Sequence, residues 1–309
     1  MSVAANSLPR DPKDGVVSSA SRKWRPYLLT LPALILTIGI LIPFIQGLMY
    51  SFQNRKASSP TWEWIGFRNY QRILTDDNFY HAVGVTSQFA IGATVVETVL
   101  GIAVALLLFR STRLSGVFER FLILPLMIAP IIATIMWRLM MQPSVGILNY
   151  MLRPIGLGNI AWTDSPGMAM FSVIMIDVWI YTPFVALLVL AGLRSLPRAP
   201  FEAAAVEGAG WWYTFTHLTL PMLWPYILVA VIFRFMDSLK VFDIIWGLTQ
   251  GGPGDALMAM QPTAYQAAIP NGRLSFGQTY MVILWVIVYI TTRILISVLG
   301  KAQNRAAGV

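Results

Sequence analysis

The sequence predicts an all-α membrane protein with six transmembrane helices and one shorter helix in a polar loop between two of them. Of its 309 residues, 56% are hydrophobic and only 12% are charged, and the mean hydropathy is +0.64. Such a chain has too little polar surface to cover a soluble globule. Six apolar segments reach roughly the 20 residues that a helix needs to cross a hydrocarbon core, so six spans are expected.

The predicted spans follow one another with polar connections between them. Their approximate bounds are 27–52, 83–109, 121–141, 168–193, 222–248 and 279–299. The first is too long for a signal-peptide core and no small-residue cleavage pattern follows it, so it is predicted to remain as an anchor. Pro125 and Pro130 are expected to bend the third span and Pro183 the fourth, because proline removes a backbone donor and clashes with the preceding turn.

One transmembrane domain, 27–300, is predicted between a mobile cytoplasmic tail, 1–26, and a short cytoplasmic tail, 301–309. The net charge of +8 does not indicate nucleic-acid binding, because the basic residues are scattered over short loops. Their distribution places both termini inside the cell, since cytoplasmic loops are richer in Lys and Arg. The inner set is Arg10, Lys13, Arg22, Lys23, Arg25, Arg110, Arg113, Arg120, Arg194, Arg198, Arg293, Lys301 and Arg305. The smaller outer set is Arg55, Lys56, Arg68, Arg72, Arg153 and Arg273.

Residue usage excludes several kinds of chemistry. There are no cysteines, which excludes disulfides, thiolate metal sites and a cysteine nucleophile. With His81 and His217 as the only histidines, a histidine-rich metal site is not expected. The G-x-x-x-x-G-K-[ST] phosphate loop is also missing: Gly300-Lys301 is followed by Ala302 and lacks the upstream glycine. No catalytic or metal site is predicted, and any ATP hydrolysis must come from another chain.

The polar loop between the fourth and fifth spans, about 197–221, has an unusual composition. Glu202 is followed by three alanines, which give a helix a slim face that another surface can approach closely. Gly208 permits the sharp turn that ends such a helix, because glycine enters positive φ without a Cβ clash. Pro221 and Pro225 mark the return to the membrane. An ordinary helical hairpin with an alanine-rich packing face is the alternative interpretation of Glu-Ala-Ala alone.

The full spacing resembles the EAA loop of ABC importer permeases, in which a short coupling helix docks into a groove on a cytoplasmic ATPase. The resemblance implies a type I ABC importer permease and assigns ATPase coupling to six positions: Glu202, Ala203, Ala204, Glu207, Gly208 and Ala209. Glu207 departs from the family, which usually has aspartate there, but the charge is retained. ATP and Mg²⁺ are then expected in the partner ATPase, with no cofactor in this chain.

Two further segments resemble the carbohydrate-importer permeases. One is 65–70 together with Phe79, and the other is the run FDIIWGLTQGGPGDA at 242–256. The glycine-rich part of the second favours a tight, irregular turn. By resemblance it contacts an extracytoplasmic solute-binding protein through Gly251, Gly252, Pro253 and Gly254.

The likeness extends from about residue 27 to 299 and is strongest to the sugar and polyol importer subunits that resemble the larger maltose permease. It implies a bacterial or archaeal plasma membrane location, a second permease subunit, two copies of the ATPase, the solute-binding protein and membrane lipid as partners, and no nucleic acid. Gln278, Thr279 and Tyr280 replace the family's usual small residues, a change expected to reshape the outer end of the sixth span.

The predicted fifth span carries a row of charges of alternating sign. Its members are Arg234, Asp237, Lys240 and Asp243, three residues apart. On a helix such neighbours pair, but the row winds round the axis and cannot all line one seam. Charges at membrane depth face a protein interior or a water-filled cavity. Local ion pairs are therefore one interpretation of the row.

The favoured hypothesis places Asp237, Lys240, Asp243 and Trp246 along the solute path. Sugars bind through hydroxyl hydrogen bonds and through stacking of ring faces on aromatic side chains, and these residues supply both. Glu97 and Asp177 lie within other spans, where an interhelical hydrogen bond is preferred over a proton or ion site.

Two other classes of protein remain in competition with the importer permease. A self-contained secondary transporter would use Glu97, Asp177 or Asp243 as a proton or sodium site and often has internal repeats, of which none is clear here. A membrane scaffold would use the loop at 197–221 only for docking. The sequence does not specify the solute among sugars, oligosaccharides, polyols and glycerol phosphates.

Overall fold

The computed structural model describes residues 19–110 and 115–306, and the predicted tails lie partly outside these ranges. Within them the chain forms thirteen α-helices and an isolated bridge between Gln53 and Trp64. The helices are α1 Ser19–Ser51, α2 Arg68–Leu74, α3 Asp77–Arg110, α4 Ser115–Ile123, α5 Pro130–Met140, α6 Ile147–Leu152, α7 Pro166–Ser195, α8 Ala199–Val206, α9 Trp211–Thr214, α10 Leu220–Ser238, α11 Asp243–Thr249, α12 Met260–Ala268 and α13 Leu274–Ala306.

The chain divides into two compact units, Met1–Met49 and Tyr50–Val309. The described part of the first unit belongs to α1. Within this helix the 23-residue segment Leu29–Ser51 has a mean hydropathy of 2.1, so it is long and apolar enough to cross a membrane. Helix is present from Ser19, so the predicted mobile tail 1–26 is helical over its last residues.

The second unit contains the other membrane-length helices. They are Asp77–Arg110, Pro166–Ser195, Trp211–Ser238 and Leu274–Lys301, with mean hydropathies between 1.7 and 2.3. Together with the segment in α1 they make five continuous candidate spans in the described residues, and a bent pair of helices supplies a sixth if it is counted as one span. Six spans were predicted, and the fold class is confirmed.

The prediction of the third span, 121–141, is wrong in one respect: this segment is not one helix. It consists of the segments Gly116–Met127 and Pro130–Met140, which meet at 95°. Pro130 begins the second segment, and a residue that precedes proline is pushed out of the α region. Ala129 accordingly has ψ 133°, and Ile128 is extended at φ −89°, ψ 131°. The expected bend is therefore a complete break.

The predicted bounds of the fifth span, 222–248, are also wrong. Helical structure runs from Trp211 through a π-helical turn at Phe215–Thr219, where the Leu220 N–H bonds to the Phe215 carbonyl, and it ends at Ser238. A separate helix, α11, begins at Asp243 after a four-residue break, 239–242, that starts with a turn. Its residues Ile245 and Leu248 are buried with the core side chains of α5 and α7. Burial of this face outweighs continuation of the helix, which the apolar length of 222–248 had favoured.

Helices α3 and α7 form the centre of the second unit. A Cβ added at Gly101 in α3 would lie 2.6 Å from Val185 Cγ1 of α7, so glycine allows the two backbones to approach closely. Ala105 and Val189 lie in the same buried cluster, together with Leu223 from α10. The three membrane-length helices α3, α7 and α10 are thus in direct contact.

Candidate coupling helix and solute pathway

Helix α8 is the short helix predicted in the polar loop. Pro200 lies in its first turn, where a missing N–H costs nothing. Its C-terminus forms a Schellman motif: the Ala209 N–H bonds to the Ala204 carbonyl at 2.9 Å, and the Gly208 N–H bonds to the Ala205 carbonyl at 3.2 Å. Gly208 has φ 74°, the left-handed conformation predicted for it.

The surface of α8 is divided by exposure. Ala204 is buried, whereas Glu202, Ala203, Glu207 and Gly208 are exposed. A cavity of about 490 Å³ separates the helix from the ends of the long helices, lined among others by Phe109 of α3 and Leu193 of α7. The slim, exposed face therefore lies at one end of the helical bundle, where a partner can reach it.

An aromatic group follows α8 and was not singled out in the sequence. Trp211, Trp212 and Tyr213 are between 53% and 66% exposed. Trp211 stacks on Phe215 with ring centroids 5.6 Å apart, and the Arg110 guanidinium lies 4.9 Å from the centre of the Trp211 ring. The signal in the sequence was the WWY run beside a predicted span end, which is typical of a membrane interface.

A buried ion network joins three long helices. Arg234 of α10 donates to both oxygens of Glu97 on α3, at 2.6 and 2.8 Å, and to Asp177 on α7 at 2.7 Å. These three residues are 2%, 0% and 3% exposed. Arg234 also lies 3.9 Å from the centre of the Tyr181 ring. Glu97 and Asp177 thus form the interhelical bonds preferred from the sequence, and Arg234 of the charge row is the residue that joins them.

Asp237 and Lys240 form the exposed edge of this network. Asp237 accepts from Arg234 at 2.9 Å and lies 3.8 Å from the Lys240 ammonium. The side chains of Asp237 and Lys240 are 50% and 51% exposed. Two of the predicted pathway residues are therefore together at the end of α10, and both are open to their surroundings.

Asp243 and Trp246 lie on α11, beyond the break, and not on the same helix as Asp237. Asp243 is exposed in the first turn of this helix. Trp246 stacks on Phe242 with centroids 5.7 Å apart and meets Tyr265 of α12 edge-on at 4.8 Å. The predicted row of charges is therefore divided between two helices, and an aromatic group lies beside its second half.

The glycine-rich turn follows α11 closely. Gln250, Gly251 and Gly254 have φ values of 55°, 96° and 57°, and the Gly252–Pro253 peptide is cis. Gly251 is buried and its carbonyl accepts from the Leu257 N–H at 2.8 Å, whereas Gly254 is exposed and Gly252 and Pro253 are intermediate. His81 Nε2 lies 2.9 Å from the carbonyl of Asp255, which fixes the turn to α3. Of the four predicted contact residues, Gly254 is the most accessible.

Among the described residues, no group of three or more His, Cys, Asp or Glu side chains is arranged to hold a metal ion. The carboxylates of the ion network instead face Arg234.

Known proteins resemble this chain in sequence and in fold. Residues 97–308 match the family described as the binding-protein-dependent transport system inner membrane component, and this match covers more than half of the chain. The chain belongs to this family. The permease is therefore an inner-membrane, multi-pass subunit of an ABC importer, and the secondary-transporter alternative is not favoured.

Named relatives of the permease are also permease subunits. The trehalose/maltose transport system permease protein MalF of Thermococcus litoralis is 36% identical over 240 residues, which cover 77% of this chain and 81% of the relative. The sn-glycerol-3-phosphate transport system permease protein UgpA of Pectobacterium atrosepticum is 30% identical over 272 residues, 86% of this chain and 90% of the relative. Membership among such subunits is consistent with a non-enzymatic role.

Solved structures share the fold. The crystal structure of a bacterial ABC transporter involved in the import of the acidic polysaccharide alginate contains a chain that matches with a TM-score of 0.79 and 23% identity, over 91% of the permease and 96% of that chain. At this identity the likeness concerns architecture alone, and it confirms the type I importer permease fold.

Proposed function

We propose that the permease forms half of the pathway of an ATP-driven importer for a sugar or a related polyhydroxylated solute. The observation that carries the proposal is helix α8: a slim, exposed helix, closed by Gly208, in a loop between two spans of a binding-protein-dependent permease. ATP and Mg²⁺ act in two copies of a cytoplasmic ATPase, which dock on the exposed side of α8. A second permease subunit completes the pathway.

The proposed orientation is supported by the loops that share one end of the second unit. Phe109, Leu193 and Arg198 line the cavity beside α8, so the ends of α3 and α7 lie at one end together with the predicted inner arginines. Asp76, His81 and Asp255 line a cavity at the opposite end of α3. With α8 on the cytoplasmic side, the turn at Gly252–Gly254 faces the solute-binding protein. Both termini are proposed to be cytoplasmic, as their basic residues predict.

The solute class is supported by the relatives and by the side chains at the end of α10. The solutes named for the two relatives, trehalose or maltose and sn-glycerol-3-phosphate, are all polyhydroxylated. Asp237, Lys240 and Asp243 offer charged hydrogen-bonding groups, and Trp246 offers an aromatic face. Hydroxyl hydrogen bonds combined with ring stacking are what a sugar requires of its site. These four residues are therefore proposed as pathway residues.

The coupling role is tested by purification from native membranes in mild detergent, followed by mass spectrometry of the accompanying chains. Ala203→Trp adds bulk to the exposed side of α8, where the permease's own packing is not disturbed. Gly116→Trp is the matched control, because Gly116 is also exposed and a Cβ there meets nothing within 4 Å. We expect a phosphate-loop ATPase and a second permease with the wild type and the control, and loss of the ATPase alone with Ala203→Trp.

Recovery of the permease alone, with solute flux in vesicles that contain no ATP, would contradict the proposal and support an ion-coupled transporter. Retention of the ATPase by Ala203→Trp would instead leave the importer intact and move the coupling contact away from α8.

The solute pathway is tested by uptake kinetics of the assembled complex. Trp246→Ala and Asp243→Asn are expected to weaken apparent affinity for the solute by about three- to tenfold, the value of one aromatic or polar contact. Trp224→Ala is the control, since this exposed tryptophan lies on α10 away from the break. Unchanged uptake and affinity in both variants, with the complex intact, would remove these residues from the pathway.

A further inference from the structure

A basic cavity of about 670 Å³ lies at the end of the bundle opposite α8. It is formed by the loop after α1 and the turn before α13, and α2 closes one side. Four of its lining residues are cationic: Arg55, Lys56, Arg72 and Arg273. None of the lining residues among those the structure describes is acidic. Such a concentration of one charge in a concave site favours an anionic ligand.

The wall of this cavity is held in place by hydrogen bonds between its two segments. The Arg55 N–H donates to Ser275 Oγ at 2.8 Å, and the Ser275 N–H donates to the Arg55 carbonyl at 3.2 Å. The Ala57 N–H donates to the Gly272 carbonyl at 2.8 Å. The cationic side chains are therefore mounted on a cross-linked framework and not on two independent loops.

The guanidinium of Arg55 is positioned by aromatic rings. Its Cζ lies 4.4 Å from the centre of the Tyr50 ring and 5.7 Å from that of Trp62. Its Nε is buried and has no hydrogen-bond partner. Arg273 is held similarly, with Cζ 3.9 Å from the centre of the Phe276 ring. Aromatic contacts fix the direction of both guanidinium groups without neutralising them, so their charges are available to a ligand.

The position of the cavity indicates which anion it meets. Arg55 follows the end of α1 at Ser51 by four residues, and Arg273 immediately precedes α13. The candidate membrane spans Leu29–Ser51 and Leu274–Lys301 have their limits here, so the cavity lies at span ends, where hydrocarbon gives way to headgroups. Exposed tryptophans beside it, Trp62 at 49% and Trp64 at 60%, are the residues that mark this boundary.

We infer that this basic cavity binds the phosphate of an anionic phospholipid headgroup. Arginine matches phosphate geometry through paired N–H groups, and a concave cluster of cations attracts an anionic headgroup. The main competing ligand is an acidic side chain of the solute-binding protein. Asn271 and Arg273 also line the neighbouring cavity with Asp255, which directly follows the glycine-rich turn proposed to contact that protein. The depth and the exposed tryptophans favour the lipid.

The test measures lipid binding by the purified permease together with the subunits that accompany it. Native mass spectrometry follows titration with phosphatidylglycerol, and with phosphatidylcholine as the neutral comparison. Arg72→Gln/Arg273→Gln removes two exposed cations that line the cavity. Arg68→Gln/Arg153→Gln is the matched control: both arginines are exposed, neither lines the cavity, and Arg68 lies one turn before Arg72 on α2.

We expect the cavity variant to bind phosphatidylglycerol about 30-fold more weakly than the wild type, because each cation near a headgroup contributes about a factor of five. Binding of phosphatidylcholine and the behaviour of the control variant should not change. Equal loss of phosphatidylglycerol in both variants would overturn the inference, as would retention of full affinity by the cavity variant.

Two further measurements distinguish the competing ligands. If millimolar inorganic phosphate displaces the lipid completely, the cavity is a site for free phosphate and the lipid assignment fails. If the cavity variant keeps its lipid but no longer binds the solute-binding protein, the cavity belongs to a protein contact and the lipid assignment fails as well. Neither result bears on the coupling role of α8, which is measured separately by recovery of the ATPase.

Discussion

Removal of Arg234 should destabilise the permease strongly, because its charge is shared by carboxylates on two other helices. Arg234 donates to Glu97, Asp177, Asp237 and Ser238. Breaking a buried pair from one side leaves an uncompensated charge and costs about 3 to 5 kcal/mol. Two of the carboxylate partners, Glu97 and Asp177, are almost fully buried, so Arg234→Met should fall within that range and lower the melting temperature by about 10 °C.

The comparison variant is Lys240→Met, which also removes a cation beside Asp237. This pair is 3.8 Å apart and both side chains are about half exposed. Solvent screens such a pair, so its loss should cost about 1 kcal/mol or less. The variants are made as fluorescent fusions and heated in mild detergent, and the fraction that remains monodisperse is followed by size-exclusion chromatography.

A triple variant separates loss of charge balance from loss of packing. Arg234→Met combined with Glu97→Gln and Asp177→Asn removes the uncompensated carboxylates as well as the arginine, and replacement of a whole buried network is often close to neutral. We expect the triple variant to recover at least half of the lost melting temperature. If Arg234→Met is as stable as Lys240→Met, the network does not hold the three helices and this reasoning is refuted.

Two glycine predictions concern backbone geometry. Gly101→Val should destabilise the permease by about 1 to 3 kcal/mol, because the new Cβ would collide with Val185. Gly84→Val on the same helix meets nothing within 4 Å and should change the melting temperature far less, and equal shifts would disprove the close approach. Gly208→Asn should retain ATP-driven uptake better than Gly208→Val, since asparagine tolerates the left-handed conformation at φ 74°. The opposite order in uptake assays would exclude a requirement for this turn.

Much of the fold could be predicted because its signals are local. Apolar length alone identified six membrane-crossing segments, and the order alanine, alanine, glycine located α8 and its Schellman turn. Each signal depends only on neighbouring residues: hydrocarbon thickness sets span length, and the absence of a Cβ sets the turn at Gly208.

The breaks were predicted less well because they depend on distant packing. Pro130 indicated a bend, but not that the chain would turn by 95°. Nothing local ends α10 at Ser238. The break allows Ile245 and Leu248 to become buried against α5 and α7, and Gly247 allows α11 to approach, since a Cβ there would lie 2.9 Å from Ile131 Cδ1. Such contacts cannot be derived from the residues next to the break.

The row of charges at 234–243 shows how one pattern divides into two roles when the helix ends. Arg234 lies inside the bundle and holds α3 and α7, whereas Lys240 and Asp243 lie in the break and at the start of α11. Asp237 belongs to both parts, because it accepts from Arg234 at 2.9 Å and lies 3.8 Å from Lys240. Local ion pairing and a solute pathway were posed as alternatives for these residues. In the folded chain they are adjacent, and one half-exposed carboxylate joins the buried network to the residues proposed to meet the solute.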